Sequence, residues 1–324
     1  MLKGRVVKLD RGYPLVLAED KNLYRCKHAT ALVKERKLRC VIGDVVTLEL
    51  PEGNDKALIK AIEPRSNKLV RKDPTEQTLP QVLAANFDRI IIAQPINDIN
   101  LRRLARELVV AYETGAAVSV VLTKADLAKT EAAQSASLEK VKELAGSGGV
   151  LVISIEDKAS IEGVRALIPA GEIVVMVGKS GVGKSSLVNL LVGDEIQKVA
   201  DVRESDGKGR HTTVSREMIE IPGGGYLVDM PGIRGLGLWD ADLGLEAAFA
   251  DIETLAAGCK FRDCKHESEP DCAVREATHN GELTENRLAI YRLLKHETEA
   301  IQDRREEAKR KRVRSGHPRR RSSR

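Results

Sequence analysis

The sequence predicts a multi-domain chain: a small antiparallel β-barrel, then an α/β domain built on a parallel sheet, then a mostly helical domain. Three observations carry this. Up to about residue 65 the chain breaks into short apolar runs separated by turn residues, and from residue 86 near-continuous apolar strands alternate with amphipathic helices. After residue 245 strand signals stop. At 324 residues the chain is long enough for about two or three compact units.

In the barrel, residues 1–66, the runs "GRVVKLDRGYPLVLAED", "NLYRCKHA", "CVIGDVVTLEL" and "KALIKAIEP" suit five short strands. An oligonucleotide-binding (OB-like) barrel fits the size and charge, and other five-stranded barrels fit the pattern as well. Cys26 and Cys40 fall inside it as packing residues. Prolines 64, 74 and 80 around a basic centre predict a linker over 67–85. The α/β domain, 86–243, has strands at "DRIIIAQ", "AVSVVLT", "GVLVISI" and "EIVVMV", with helices at "INLRRLARELVVAYETG" and near 131–145. Such strands are covered on both faces of a parallel sheet. "SREMIEI" and "GYLVDM", joined through Pro-Gly-Gly-Gly, predict a hairpin at one sheet edge. A helical domain over 244–303 and a basic tail over 304–324 complete the chain.

Charge is polarised along this order. Residues 1–73 carry 17 Lys+Arg against 10 Asp+Glu, residues 304–324 carry 11 against 2, and the whole chain is only +5, so the centre is acidic. An acidic body between basic ends suggests chemistry in the middle and a polyanion held by the ends. With aromatics at 3% of residues, contact with phosphates and folded RNA is favoured over stacking on single-stranded bases. No leader and no membrane-spanning run stands out, and five cysteines do not suit a disulfide framework, so a cytoplasmic, monomeric protein without membrane partners is expected.

Gly178, Gly183, Lys184 and Ser185 fit G-x-x-x-x-G-K-[ST], between an apolar strand and the helical "SLVNLLVG". The intervening Lys179, Ser180, Gly181 and Val182, and Ser186 after it, complete a loop whose backbone N–H groups can cradle phosphates at a helix N-terminus. Lys184 reaches the outer phosphates and the Ser185 hydroxyl suits Mg²⁺. "DMPG" ends a strand at Asp229–Gly232, where the carboxylate of Asp229 can hold the Mg²⁺ shell and Gly232 can turn its backbone to a terminal phosphate. Between them, "DGKGRHTTV" offers Gly207 and Gly209 for changes of path and Thr212 and Thr213 as hydroxyls for Mg²⁺, the pattern of a switch loop.

"VVLTKADLAKT" precedes these motifs and reads as a buried strand ending in Thr123, Lys124 and Asp126. A carboxylate accepts from both N1–H and the amino group of guanine, donors that adenine lacks on that edge, so Asp126 selects GTP over ATP. Lys124 lays its stem along the base, and "ISIED" around Ser154 can offer backbone N–H groups to the guanine oxygen. Base-reading motif before phosphate loop inverts the usual order. A circular permutation explains it, because joining nearby termini and opening another loop preserves sheet and crevice. Cys259, Cys264, His266 and Cys272, spaced C-x4-C-x-H-x5-C, supply the four ligands of a closed, structural Zn²⁺ site.

These residues together resemble the RsgA family of circularly permuted GTPases, over about residues 1 to 300: "TKADL", "GKSGVGKSSLVN", "GKGRHTT", "DMPGIR" and "CKFRDCKHESEPDCAV" follow in order, after "PRSNKLVR" at the end of the barrel. The resemblance implies an OB barrel, a permuted GTPase domain and a zinc domain that together bind ribosomal RNA, act late in maturation of the small ribosomal subunit, and leave it on GTP hydrolysis. It also implies that His211 acts on the attacking water, since Ile233 stands where many GTPases have a glutamine. Two departures are Thr123 in place of the usual asparagine, which predicts weaker anchoring of the loop, and Ile155 in place of a small residue, which alters contact with the base. An ATP-using kinase on the same phosphate loop, a module holding GTP as a structural ligand, and a permuted GTPase of the large subunit are the competing readings.

Overall fold

The structure, a computed structural model, describes residues 1–10, 13–34, 38–50, 56–71, 81–128, 130–146, 148–193, 216–230, 238 and 241–314. The barrel comprises β1 (Leu2–Asp10), β2 (Tyr13–Ala18), β3 (Leu23–His28), β4 (Val45–Glu49) and β5 (Ala57–Ile62), with the short helix α1 (Thr30–Lys34) between β3 and β4. β1–β2–β3 run antiparallel, β3 pairs parallel with β5, β5 pairs with β4, and β4 returns to β1 to close the ring. Closure follows from the period-two pattern seen in β2, where alternate residues turn inward. Val6, Val16, Cys26, Leu32, Val46, Leu48 and Ile59 fill the interior. Burial pushes the Cys26 and Cys40 thiols each up to about 12, which suits packing groups.

The stretch read as a linker contains structure. β6 (Lys68–Arg71) and β7 (Gln81–Ala85) pair antiparallel, and Leu69 and Leu83 are fully buried in the main core. Its head makes a fixed joint: Arg65 grips the fully buried Asp44 through Nε to Oδ1 at 2.7 Å and Nη2 to Oδ2 at 2.8 Å, while Val41 N donates to Asp44 Oδ2 at 2.7 Å. Beside it Gly43, at φ +88°, lies so close to the Ala85 carbonyl that a Cβ would fall 1.9 Å from that oxygen. "PRSNKLVR" is thus the hinge-pin of barrel and GTPase domain, with Asn67 exchanging side-chain bonds with the Phe87 backbone at 2.7 and 3.1 Å.

The central sheet comprises β8 (Arg89–Pro95), β9 (Ala117–Thr123), β10 (Gly149–Val152), β11 (Ile173–Gly178), β12 (Arg216–Glu220) and β13 (Tyr226–Asp229), in spatial order β10-β9-β8-β11-β13-β12. All but β12 run parallel. Ile90 and Ile92 face α2 (Leu101–Tyr112) and α3 (Glu131–Ala145), while Ile91 faces α4 (Lys158–Arg165) and α5 (Lys184–Val192), so both faces are covered as the apolar strands require. Asn100, Thr130 and Asp157 cap α2, α3 and α4 by accepting from backbone N–H groups. The hairpin β12–β13 forms as expected, but β12 is not a free edge: Lys8 and Leu9 of β1 pair opposite Glu217 and Arg216, so barrel and sheet are continuous.

Among the described residues four helices follow: α6 (Asp242–Ala248), α7 (Ala250–Ala256), α8 (Ala273–His279) and α9 (Glu285–Arg314). They share one apolar cluster with α2 and α3, through Phe249, Ile252, Tyr291 and Leu294. Among the described residues no helix is long and apolar enough to cross a membrane.

Candidate nucleotide site and metal centre

β11 is buried along its whole length and ends at the carboxyl edge of the sheet in Gly178, where the loop to α5 begins. Gly178, Gly181 and Gly183 have φ of +154°, +79° and +105°. At Gly178 the backbone also passes so near β8 that a Cβ would lie 2.6 Å from the Ala93 carbonyl, so glycine is required for conformation and space alike. Ser180, Ser185 and Ser186 are exposed, the latter two on the first turn of α5, whose N–H groups have no partner within the helix.

Lys184 is buried and curls back over the loop, its Nζ donating to the carbonyls of Gly178 at 2.9 Å and Lys179 at 3.3 Å. Burial lowers its pKa, and the neighbouring Asp229 opposes that shift. Asp229 shows the reverse: burial pushes its carboxyl up and Lys184 pulls it back. Its Oδ1 is buried with no hydrogen-bond partner among the described residues. A carboxylate oxygen with no donor, next to a lysine and a phosphate loop, fits a place in the shell of a hard cation.

The base-reading strand meets this loop directly. Thr123 is buried at the end of β9 and its Oγ1 donates to the Val182 carbonyl at 2.6 Å, while Lys124, at φ +60°, sends Nζ to the Gly181 carbonyl at 2.7 Å. The departure at Thr123 therefore keeps an anchor onto the phosphate loop. Beyond it Asp126 sits exposed on a single 3-10 turn (Ala125–Leu127), with its Oδ1 accepting from Ser154 Oγ at 3.0 Å. The Ser154 turn is itself braced, Ser160 Oγ donating to the carbonyls of Ser154 at 3.1 Å and Asp157 at 2.7 Å.

One cluster escaped sequence reading. Under the loop, Gln94 Nε2 donates to the buried carboxylate of Glu107 on α2, whose other oxygen accepts from Arg103 Nε at 2.8 Å. Burial raises the Glu107 pKa, and its charge, like that of Asp229, opposes the lowering at Lys184. The signal was present: Glu107 falls on the apolar face of α2, beside Leu104, Leu108 and Ala111 at helical spacing. Another residue missed is Asp98, 3.8 Å from Lys179 of the loop. His211, Thr212, Thr213 and Gly232 lie outside the described residues.

The cysteine cluster comes together as its spacing demands. The ligand atoms of Cys259, Cys264, His266 and Cys272 lie within 4.8 Å of one another. Cys259 Sγ is 3.8 Å from Cys272 Sγ, and His266 Nδ1 is 3.6 and 3.4 Å from those sulfurs. A tetrahedron with metal bonds of about 2.0–2.3 Å has edges of about 3.3–3.8 Å, so these separations fit a single ion. His266 is buried, and burial, with Lys295, holds its imidazole below the ordinary range. Burial and its thiol neighbours push Cys264 up to about 11, so a thiolate there calls for a cation.

A phosphate loop bonded side chain to backbone with a Lys-x-Asp strand end defines a P-loop GTPase, and base motif before phosphate loop in one sheet makes its order circularly permuted. The model of the RsgA GTPase family matches residues 62–239. The small ribosomal subunit biogenesis GTPase RsgA of Streptomyces avermitilis is 40% identical over 304 residues, covering 93% of this chain and 80% of that protein. That of Methanosarcina acetivorans is 41% identical over 259 residues, 79% of this chain and 69% of that one. In fold, the crystal structure of YjeQ from Thermotoga maritima matches with a TM-score of 0.68 at 25% identity, over 92% of this chain and 98% of that chain. The chain belongs to the RsgA GTPase family, and is a GTPase with an N-terminal barrel and a metal-ligating C-terminal domain.

Proposed function

We propose that this protein binds the small ribosomal subunit and its ribosomal RNA late in maturation, hydrolyses GTP there, and leaves in the GDP state. The names of its relatives and the basic barrel support the partner; a cytoplasmic, monomeric protein is the simplest form. The observation that carries the nucleotide reading is the 2.6 Å bond from Thr123 Oγ1 to the Val182 carbonyl, which makes base and phosphate recognition one rigid unit.

In this reading Asp126 takes N1–H and the amino group of guanine, Lys124 covers the base, and the Ser154 turn meets the guanine oxygen. Residues 178–186 hold the phosphates through backbone N–H groups, with Lys184 leaving its loop carbonyls for them and Gly232 meeting the outermost. Ser185, Asp229 and Thr213, with Thr212 as the alternative hydroxyl, would hold Mg²⁺. The ion would neutralise charge on the β- and γ-phosphates. His211 orients and deprotonates the attacking water, since an imidazole can accept a proton near neutral pH. Cys259, Cys264, His266 and Cys272 would hold Zn²⁺ in a structural role, since together they offer four protein ligands.

Co-sedimentation with separated subunits tests the reading. Retention on small subunits with a non-hydrolysable GTP analogue, and release with GDP, is expected; equal retention on large subunits overturns it. His211→Ala should keep GTP affinity and subunit binding but lose about 10²-fold or more of subunit-stimulated turnover, and turnover within a fewfold of wild type removes His211 from catalysis.

A further inference from the structure

Helix α9 runs unbroken for 30 residues, Glu285–Arg314, and among the described residues its first part carries the core packing. Leu288, Ile290, Tyr291 and Leu294 are buried, Ile301 packs against the core, and Gln302 Nε2 bonds Asp242. From Asp303 to Arg314 the helix continues for about 18 Å at 1.5 Å per residue. There Arg304, Glu306 and Arg310 are exposed, and the ion pair of Arg310 with Glu306, at 3.3 Å, stays within the helix.

The sequence of this extension, "DRREEAKRKRVR", has Ala308 and Val313 as its only apolar residues. At about 100° per residue these two positions fall on different sides of the helix, so no apolar stripe exists. A helix that docks in a protein groove needs apolar anchors at i, i+3 or i+4, and i+7, and one that lies in a membrane surface needs an apolar face. Neither is present. The basic positions, by contrast, are distributed around the whole circumference, seven Lys+Arg against two Asp+Glu over 304–314, and four more arginines follow by residue 324. No aromatic residue occurs after Tyr291, so base stacking is not on offer. What suits rigid positive charge on every side is a site with phosphates on more than one side, as between the strands and helices of folded RNA.

We propose that residues 303–314 form a helical cationic arm that binds the phosphates of double-helical RNA beside the metal-ligating domain. This shares with the proposed function the premise of an RNA-rich partner, and the two can fail separately.

The test uses the full chain and a full-length variant carrying Lys309→Gln, Arg310→Gln, Lys311→Gln, Arg312→Gln and Arg314→Gln, since glutamine preserves helix propensity. Fluorescence anisotropy follows binding to an RNA hairpin, and to a single strand of the same composition, across a salt series. Each phosphate contact contributes about −0.7 to −0.9 to the slope of log affinity against log salt. The variant should bind the hairpin about tenfold or more weakly, with a slope shallower by about 3 or more. Equal slopes would mean the arm is only solvated, and a preference of the arm for the single strand would overturn the duplex assignment. In a parallel arm with small subunits, failure of both proteins to bind counts against the proposed function alone, whereas binding of both with the same salt slope counts against the arm.

Discussion

The GTPase domain is joined to its two neighbours by different means. On the barrel side the joint is mostly backbone: β1 pairs with β12, Ala85 N donates to the Ile42 carbonyl at 3.0 Å, and the Gly43 carbonyl accepts from Asn86 Nδ2 at 3.1 Å. On the other side it is mostly side chains. Arg287 of α9, held within the helical domain by both carboxylate oxygens of Asp251 at 2.7 and 2.6 Å, the Ala248 carbonyl at 3.0 Å and the ring of Phe249, donates across the joint to the Glu143 carbonyl at 2.8 Å. Arg106 pairs with Glu297 at 2.7 Å, and Thr284 bonds Glu143 at the end of α3. Backbone pairing sets a register that no single substitution erases, whereas a joint centred on one guanidinium depends on that residue and on whatever holds its helix in place.

The comparison breaks most readily at the proposed metal site. Chelation, or Cys264→Ser, should remove stabilisation on the order of 10 kcal/mol from the C-terminal domain, because metal binding there is folding free energy. Hydrogen exchange should then accelerate over α8 and α9 while β1–β5 stay protected; uniform acceleration would mean the two joints are not independent. Arg287→Met comes next. It strips donors from Asp251 and two carbonyls, and a loss of about 3 kcal/mol in denaturant unfolding is expected. A loss below about 1 kcal/mol would show that the apolar cluster, not the guanidinium, holds this side.

On the barrel side Asp44→Ala leaves Arg65 and the Val41 N–H without their acceptor. We expect about 2 kcal/mol, with the β1–β12 pairing still protected from exchange. Loss of that protection would show that the side chain sets the register after all. The smallest effect belongs to Lys8→Met, which deletes the 2.7 Å pair with Glu217. Both partners are partly exposed, so about 0.5 kcal/mol is expected, read from the thermal midpoint at low and high salt. A larger, salt-sensitive change would make that pair a true part of the joint.

These joints are also where sequence reading ended. β8, β9, β11 and α3 were legible because each carries its own periodicity, and the phosphate loop because its glycines and lysine are fixed by local geometry. Residues 67–85 read as a linker because their apolar pairs are brief and set among prolines and charges; their burial depends on a core assembled from distant strands. Arg287 looks like surface charge in "ENRLAIYR", since nothing local marks the carboxylate or carbonyls that await it, whereas Glu107 in "RLARELVV" is marked only by its place on the apolar face of α2. Nor could the β1–β12 pairing be read, joining as it does residues about 200 positions apart with no shared motif. In the site, the bond from the Thr123 hydroxyl to the Val182 carbonyl at 2.6 Å joins residues 59 positions apart and has no local sequence signal.

The pairing of β1 with β12 also limits distance. Arg216, opposite Leu9 of the barrel, is three residues after Thr213. A chain of three residues spans at most about 11 Å however it is drawn. The threonine proposed as a magnesium ligand is therefore leashed to the barrel seam. In the proposed site a surface that seizes the barrel would act within about 11 Å of chain from a magnesium ligand, and pulling on the seam would be felt either there or in the pairing of β12.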